Sequence, residues 1–269
     1  MYEIVIADPA KNITVFALNP VEDRAEAART LLGASSLKAE QVGFVMPPKT
    51  PGGLWRLEMM GGEFCGNAAR SFGLFVARKT GLSGRVSVRV EISGASGSLP
   101  VLVDTDAGTA SVAIPKPSAE YTFAFEGQPL RAYQFEGITH IIAPDIPADR
   151  DNFFAVKRRF ESCALKKAGP GFQALGVLFY DRTERFMRPC VYVVSADSLV
   201  FESSCGSGSA ALGIWLHEDK YAGEFYGDIA QPGGSIEVRL TKRAGEVREV
   251  SIGGRVLLGE AMRFGGTAR

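Results

Sequence analysis

The feature that most constrains the fold of this chain is a long internal repeat. Residues 61–75 read G-G-E-F-C-G-N-A-A-R-S-F-G-L-F, and residues 201–215 read F-E-S-S-C-G-S-G-S-A-A-L-G-I-W. Superposing them aligns Cys65 with Cys205 at an offset of 140 residues. Upstream, Gln41-Val42-Gly43-Phe44-Val45 echoes Ala174-Leu175-Gly176-Val177-Leu178. Downstream, Ser93-Gly94-Ala95-Ser96-Gly97-Ser98 echoes Gln231-Pro232-Gly233-Gly234-Ser235. Three blocks in one order imply two similar α/β units, each with its own Cys-Gly helix start. With 269 residues, 46% of them hydrophobic, the chain is long enough to fill two cores.

Hydrophobic periodicity and turn residues predict the elements. Strands are expected at 3–7 and 14–18, then a helix at 21–32 closed by Gly33. Strands at 41–45 and 54–59 flank a Pro/Gly turn at 47–53, and a small-residue helix at 66–79 stops at Gly81. Strands follow at 85–92, 99–103 and 109–114. The second half repeats the order. It has strands at 130–134 and 137–143, a helix at 148–167 ended by Gly169-Pro170-Gly171, and strands at 174–180 and 189–194. A second small-residue helix at 206–218 and strands at 235–240, 246–252 and 255–263 complete it. The expected division is 1–118, carrying Cys65 and completed by a last strand at about 258–269, and 119–257, carrying Cys205.

Both small-residue helices begin Cys-Gly. The first N–H groups of a helix have no intrahelical partner, and the helix dipole adds positive potential there. A substrate carboxylate fits such a place, and small residues let it approach closely. A cysteine there is expected to have its thiol pKa lowered, making thiolate accessible near neutral pH. One such cysteine suggests a nucleophile. Two at repeated positions suggest inversion of a stereocentre, which needs a base on one face and an acid on the other.

Other readings of the same residues are weaker. Gly206-Ser207-Gly208-Ser209-Ala210-Ala211 matches a dinucleotide fingerprint, but the strand before it is short and no strand ending in an acid follows at the right distance. A Cys–His–Asn hydrolase built on His140 or His217 leaves the second cysteine unexplained. Cys163 falls in a helix and Cys190 at a strand start, and both read as structural. Four cysteines without a C-x-x-C spacing, beside two histidines, suit neither a disulfide scaffold nor a zinc site, so no metal is expected.

Lys+Arg and Asp+Glu both number 30, so no net field favours nucleic acid or an anionic membrane. The N-terminus lacks the basic region of a signal peptide, and no apolar run reaches membrane-spanning length. The expectation is a cytoplasmic protein without nucleic-acid or membrane partners.

At Gly61–Ser71 and Phe201–Ala211 the chain resembles the diaminopimelate epimerase superfamily. The resemblance implies an α+β fold of two pseudo-symmetric lobes, each a curved, mostly antiparallel sheet around a central helix. It also implies catalysis without pyridoxal phosphate or metal. The superfamily's catalytic cysteines map to Cys65 and Cys205, and its carboxylate-binding amides to Gly66 and Asn67 and to Gly206 and Ser207. Within the superfamily, E-Q-V-G-F at 40–44, E-F-C-G-N-A at 63–68, S-C-G-S-G at 204–208 and Q-P-G-G-S-I at 231–236 look like the histidine racemases of bacterial metallophore synthesis.

Asn12 matches a substrate-contacting Asn of the family, and His140 sits where the epimerases carry a His near the catalytic pair. The Asn–Ala–Asp–Gly run that precedes the first cysteine in true diaminopimelate epimerases is Glu58-Met59-Met60-Gly61 here. The Glu–Arg pair before the second is Ala196-Asp197, with the nearest Glu at Glu202, three residues before Cys205. These departures argue against diaminopimelate. The implied reading is a cofactor-independent histidine racemase, a homodimer by analogy. Glu40 and Asn12 are candidate polar contacts for the imidazole, Glu58 is a further acid, and Glu202 is a contact beside Cys205. Diaminopimelate epimerisation, broad-specificity racemisation and non-catalytic amino-acid binding remain the alternatives.

Overall fold

The computed structural model describes residues 1–47, 54–163, 173–194 and 197–265. The chain divides into two compact units, Met1–Ala113 with Gly253–Arg269, and Ile114–Ile252. The expected turn residues 48–53, the helix end beyond Cys163 with Gly169-Pro170-Gly171, and Ala196 lie outside the described residues.

In the first unit, β1 (Tyr2–Asp8) pairs antiparallel with β2 (Thr14–Ala17). Helix α1 (Arg24–Gly33) leads to β3 (Gln41–Met46), which lies parallel to β2 with Thr14 opposite Gln41. The helix begins three residues later than its apolar pattern suggested, because the Asp23 side chain accepts the Glu26 N–H and sets the cap there. β4 (Arg56–Met59) is antiparallel to β3. After α2 (Gly66–Lys79) come β5 (Arg85–Ile92), β6 (Ser98–Asp104) and β7 (Thr109–Ala113), an antiparallel meander whose first strand lies parallel to β4. The expected final strand is two short ones, β17 (Leu257–Leu258) and β18 (Met262–Phe264), both antiparallel to β1.

The second unit opens with β8 (Ala119–Phe125), β9 (Gln128–Gln134) and β10 (Ile138–Pro144), each antiparallel to the next. Helix α3 (Arg150–Cys163) crosses to β11 (Ala174–Asp181), parallel to β10. β12 (Phe186–Val193) and β13 (Ser198–Phe201) continue antiparallel. Helix α4 (Gly206–Leu216), β14 (Gly223–Gln231), β15 (Gly234–Arg243) and β16 (Glu246–Gly253) follow, with β14 and β15 antiparallel. The order strand–helix–parallel strand–antiparallel strand–small-residue helix thus occurs twice, with β13 inserted before the second small-residue helix.

Packing explains the apolar runs. Val15, Ala17, Val42 and Phe44 pack on Ala27, Ala28 and Leu31 of α1, while Phe16 meets Phe72 and Phe75 of α2. In the second unit Leu175, Val177 and Phe179 pack on Phe153, Val156 and Phe160 of α3, and α4 contacts β10 and β11. Strands covered on both faces read as continuous apolar runs. The small residues of α2 and α4 allow close packing at equivalent points. A Cβ on Gly73 would lie 2.6 Å from Val101 Cβ, and one on Gly213 would lie 2.7 Å from Val238 Cγ1. No helix among the described residues is long and apolar enough to cross a membrane.

Candidate active site

The first Cys-Gly start is built by four segments. Cys65 is the N-cap of α2, in extended backbone, and its sulfur accepts the Ala68 N–H at 3.4 Å. The Asn67 N–H and the Gln41 side chain also hydrogen-bond to that sulfur. Gln41 was not singled out in the sequence, although it stands in the E-Q-V-G-F block; its Oε1 is buried without a hydrogen-bond partner. Ser93 holds the run before the cysteine: its Oγ accepts the Met59 N–H at 2.9 Å and donates to the Glu63 carbonyl at 3.0 Å. Gly94, at φ +71°, packs directly against the backbone of Glu63 and Phe64.

Asn12 and Glu40 come together beside this helix start. Asn12, nearly fully buried, donates through Nδ2 to Glu40 Oε2 at 2.8 Å, and its Oδ1 accepts from Asn67 Nδ2 at 3.3 Å. Glu58 is engaged differently. One of its oxygens pairs with Arg24, and the other accepts from Arg56 Nη2 at 2.7 Å. A carboxylate gripped by two guanidinium groups has little left to offer a ligand N–H.

In the second unit Cys205 caps α4 and is 7% exposed. Gln231 ties down its backbone: Oε1 accepts the Cys205 N–H at 2.8 Å, and Nε2 donates to Ser209 Oγ at 2.9 Å. Ser209 in turn donates to the Cys205 carbonyl at 2.7 Å. The Glu202 carboxylate and the Ser207 hydroxyl both hydrogen-bond to the thiol, Ser207 Oγ lying 3.8 Å from Sγ.

His140 is fully buried, one hydrogen bond behind Ser207, with Nε2 2.8 Å from Ser207 Oγ. Its Nδ1 is buried without a hydrogen-bond partner. A bare lone pair there costs less than a bare N–H, which places the ring proton on Nε2 and leaves the Ser207 hydrogen free to point at sulfur. Burial pushes His140 down to about 3, so the imidazole is neutral.

The expected lowering of the thiol pKa is not found: both thiols are raised. Burial pushes the Cys65 thiol up to about 11, outweighing the Ala68 and Asn67 N–H groups, and the Glu63 carboxylate adds to the rise. Cys205 is also raised, first by burial and then by Glu202, against the Gly208 N–H and the Ser207 hydroxyl. Desolvation penalises thiolate more than a helix start favours it. Both cysteines therefore rest as thiols at neutral pH. Iodoacetamide should alkylate Cys65 slowly near pH 7, with a rate rising about tenfold per pH unit as the thiolate fraction grows. The half-buried Cys163, at the end of α3, should label first. Peptide mapping across a pH series measures this, and fast, pH-independent labelling of Cys65 would contradict it.

The chain matches the family described as "Histidine racemase CntK N-terminal domain" over residues 3–261. It is 31% identical over 243 residues to a histidine racemase of Fusobacterium nucleatum subsp. nucleatum (strain ATCC 23726), covering 87% of this chain and 88% of that protein. It is 26% identical over 259 residues to a histidine racemase of Staphylococcus aureus (strain Mu50), covering 93% and 92%. The structure superposes on a hydroxyproline epimerase from Agrobacterium vitis with a TM-score of 0.59 at 13% identity, covering 97% of this chain and 91% of the other, a likeness of fold. Repeated units whose small-residue helices each start at a cysteine, and a match spanning nearly the whole sequence, lead to one conclusion: this chain belongs to the histidine racemase family.

Proposed function

We propose that this chain interconverts L- and D-histidine without a cofactor, with Cys65 and Cys205 as the acid–base pair. The observation that carries the reading is that each of the two repeated helices is capped by a cysteine. The thiolate of one cysteine takes the α-proton, forming S–H as the C–H bond breaks. The thiol of the other delivers its proton to the opposite face, and its sulfur is left as thiolate. The two cysteines exchange roles with each turnover. Backbone N–H groups at Gly66, Asn67, Gly206 and Ser207 hold the carboxylate and stabilise the charge that develops beside the α-carbon.

Glu40 accepts the imidazole N–H. Apart from the bond from Asn12, its carboxylate has no hydrogen-bond partner among the described residues, whereas Glu58 has both oxygens engaged. Because the resting thiols are protonated, the active form carries one proton fewer. kcat/KM for histidine should therefore rise with pH through the neutral range and on toward the raised thiol pKa values.

The test is a substrate panel. Purified enzyme is incubated in D2O with each L-amino acid and with diaminopimelate, then scored for chirality and deuterium at Cα. Histidine should racemise with deuterium incorporation, and Glu40→Gln should lower its kcat/KM by at least about tenfold. Turnover of diaminopimelate with none of histidine would overturn the substrate. Binding of one enantiomer without exchange would overturn catalysis. The same reading places the enzyme in the cytoplasm as a homodimer feeding metallophore synthesis.

A further inference from the structure

We propose that Arg70 is a positioning residue for substrate selection, orienting Glu40 through a directed chain of two asparagine side chains. The inference rests on the reading of Glu40 as the imidazole acceptor. Arg70 lies one turn into α2 and is completely buried. Its Nη1 donates to the carbonyls of Gly254 at 3.1 Å and Arg255 at 3.3 Å, which fixes the guanidinium against the returning C-terminal segment. Its Nε donates to Asn67 Oδ1 at 3.2 Å. From there the chain runs Asn67 Nδ2 to Asn12 Oδ1 at 3.3 Å, and Asn12 Nδ2 to Glu40 Oε2 at 2.8 Å.

The chemistry of the two ends sets the direction. A guanidinium can only donate, so the Asn67 atom facing Arg70 must be its oxygen. The Asn67 amide nitrogen then faces Asn12, whose oxygen must receive it. The Asn12 nitrogen is left for Glu40, and a carboxylate can only accept. A reversed amide at either asparagine would set donor against donor at one end and acceptor against acceptor at the other. The buried cation thereby holds Glu40 by one oxygen and leaves the second oriented for a ligand N–H. In the repeat, position 67 corresponds to Ser207, whose hydroxyl bonds to His140 instead, so the chain belongs to the first unit alone.

The residue acts through others, so its signature is on binding of the imidazole rather than on proton transfer. Arg70→Lys keeps a buried cation but loses the fork that grips both the C-terminal segment and Asn67. Asn67→Ser cuts the chain and keeps the backbone N–H. Arg70→Lys should raise KM for histidine roughly tenfold with kcat within about twofold, and Asn67→Ser should raise KM by a similar factor.

The experiment is a double-mutant cycle of Arg70→Lys with Glu40→Gln on histidine kinetics, with Asn67→Ser replacing Arg70→Lys if the latter does not fold. The expected result is that the double variant is no worse than Glu40→Gln alone. Multiplicative losses, or a fall in kcat without a rise in KM, would overturn the role of Arg70 while leaving Glu40 in place. An unchanged KM in Glu40→Gln itself would overturn the Glu40 reading, and the Arg70 proposal with it.

Discussion

Cys65→Ser and Cys205→Ser should each lower kcat/KM for racemisation by about 10³-fold or more, in both directions of the reaction. The symmetry of the loss follows from the mechanism. In the proposed mechanism one sulfur removes the α-proton and the other replaces it, so neither direction survives with a single thiol. A serine hydroxyl has the size for the site but is far too weak an acid to be ionised there, in surroundings that already oppose thiolate at both positions. Cys163→Ser and Cys190→Ser provide the contrast. Cys190 is fully buried in the α3 core, so its replacement should cost stability and leave turnover per folded molecule unchanged. Polarimetry in both directions, with deuterium at Cα read by mass spectrometry, measures all four. Near wild-type racemisation by both Cys65→Ser and Cys205→Ser would end the two-thiol assignment.

Much of this arrangement is legible in the sequence because it is local or repeated. The bounds of α2 follow from Cys65 at one end and Thr80 with Gly81 at the other, where the chain turns to φ +72°. The two copies of the cysteine block predict a doubled fold without any contact being known. The strands at 119–125 and 223–231 are absent from that reading. β14 has two glycines and largely exposed side chains, so no apolar alternation marks it. β8 alternates, but at its start buried positions give way to half-exposed ones, and its identity comes from pairing with β9.

The polar machinery was partly hidden for a different reason. Asn12 and Glu40 stand out through their motifs, but their bond to each other joins residues 28 apart and is not legible in spacing. Gln231 was visible only as part of a repeated block, and its grip on Cys205 depends on tertiary placement. The thiol pKa runs opposite to the sequence expectation because a helix start is visible in a sequence while the burial around a sulfur atom is not. The same holds for Glu58, whose acidity suggests a ligand contact while Arg24 and Arg56 occupy its carboxylate in the structure.

Gly176→Ala should disable the enzyme through His140. Gly176 sits opposite His140 in the parallel pairing of β10 and β11, at the position that Gly43 occupies opposite Phe16 in the first unit. A Cβ on Gly176 would lie 2.8 Å from His140 Cε1 and closer still to Nδ1. His140 is fully buried, so the ring cannot move aside without leaving Ser207. Overpacking of this kind costs about 1–3 kcal/mol of stability. Losing the Ser207 hydroxyl from Cys205 removes a group that favours thiolate there, so kcat should fall by at least about tenfold. Gly43→Ala gives the comparison: its Cβ would meet the buried Leu57 side chain at 2.7 Å, so it should cost stability without touching His140 or Ser207. Adding His140→Ala to Gly176→Ala should make room for the methyl group and return the melting temperature toward wild type, while kcat stays low. Recovery of both would show that His140 matters only as a space filler. Recovery of stability alone places its effect on the sulfur of Cys205.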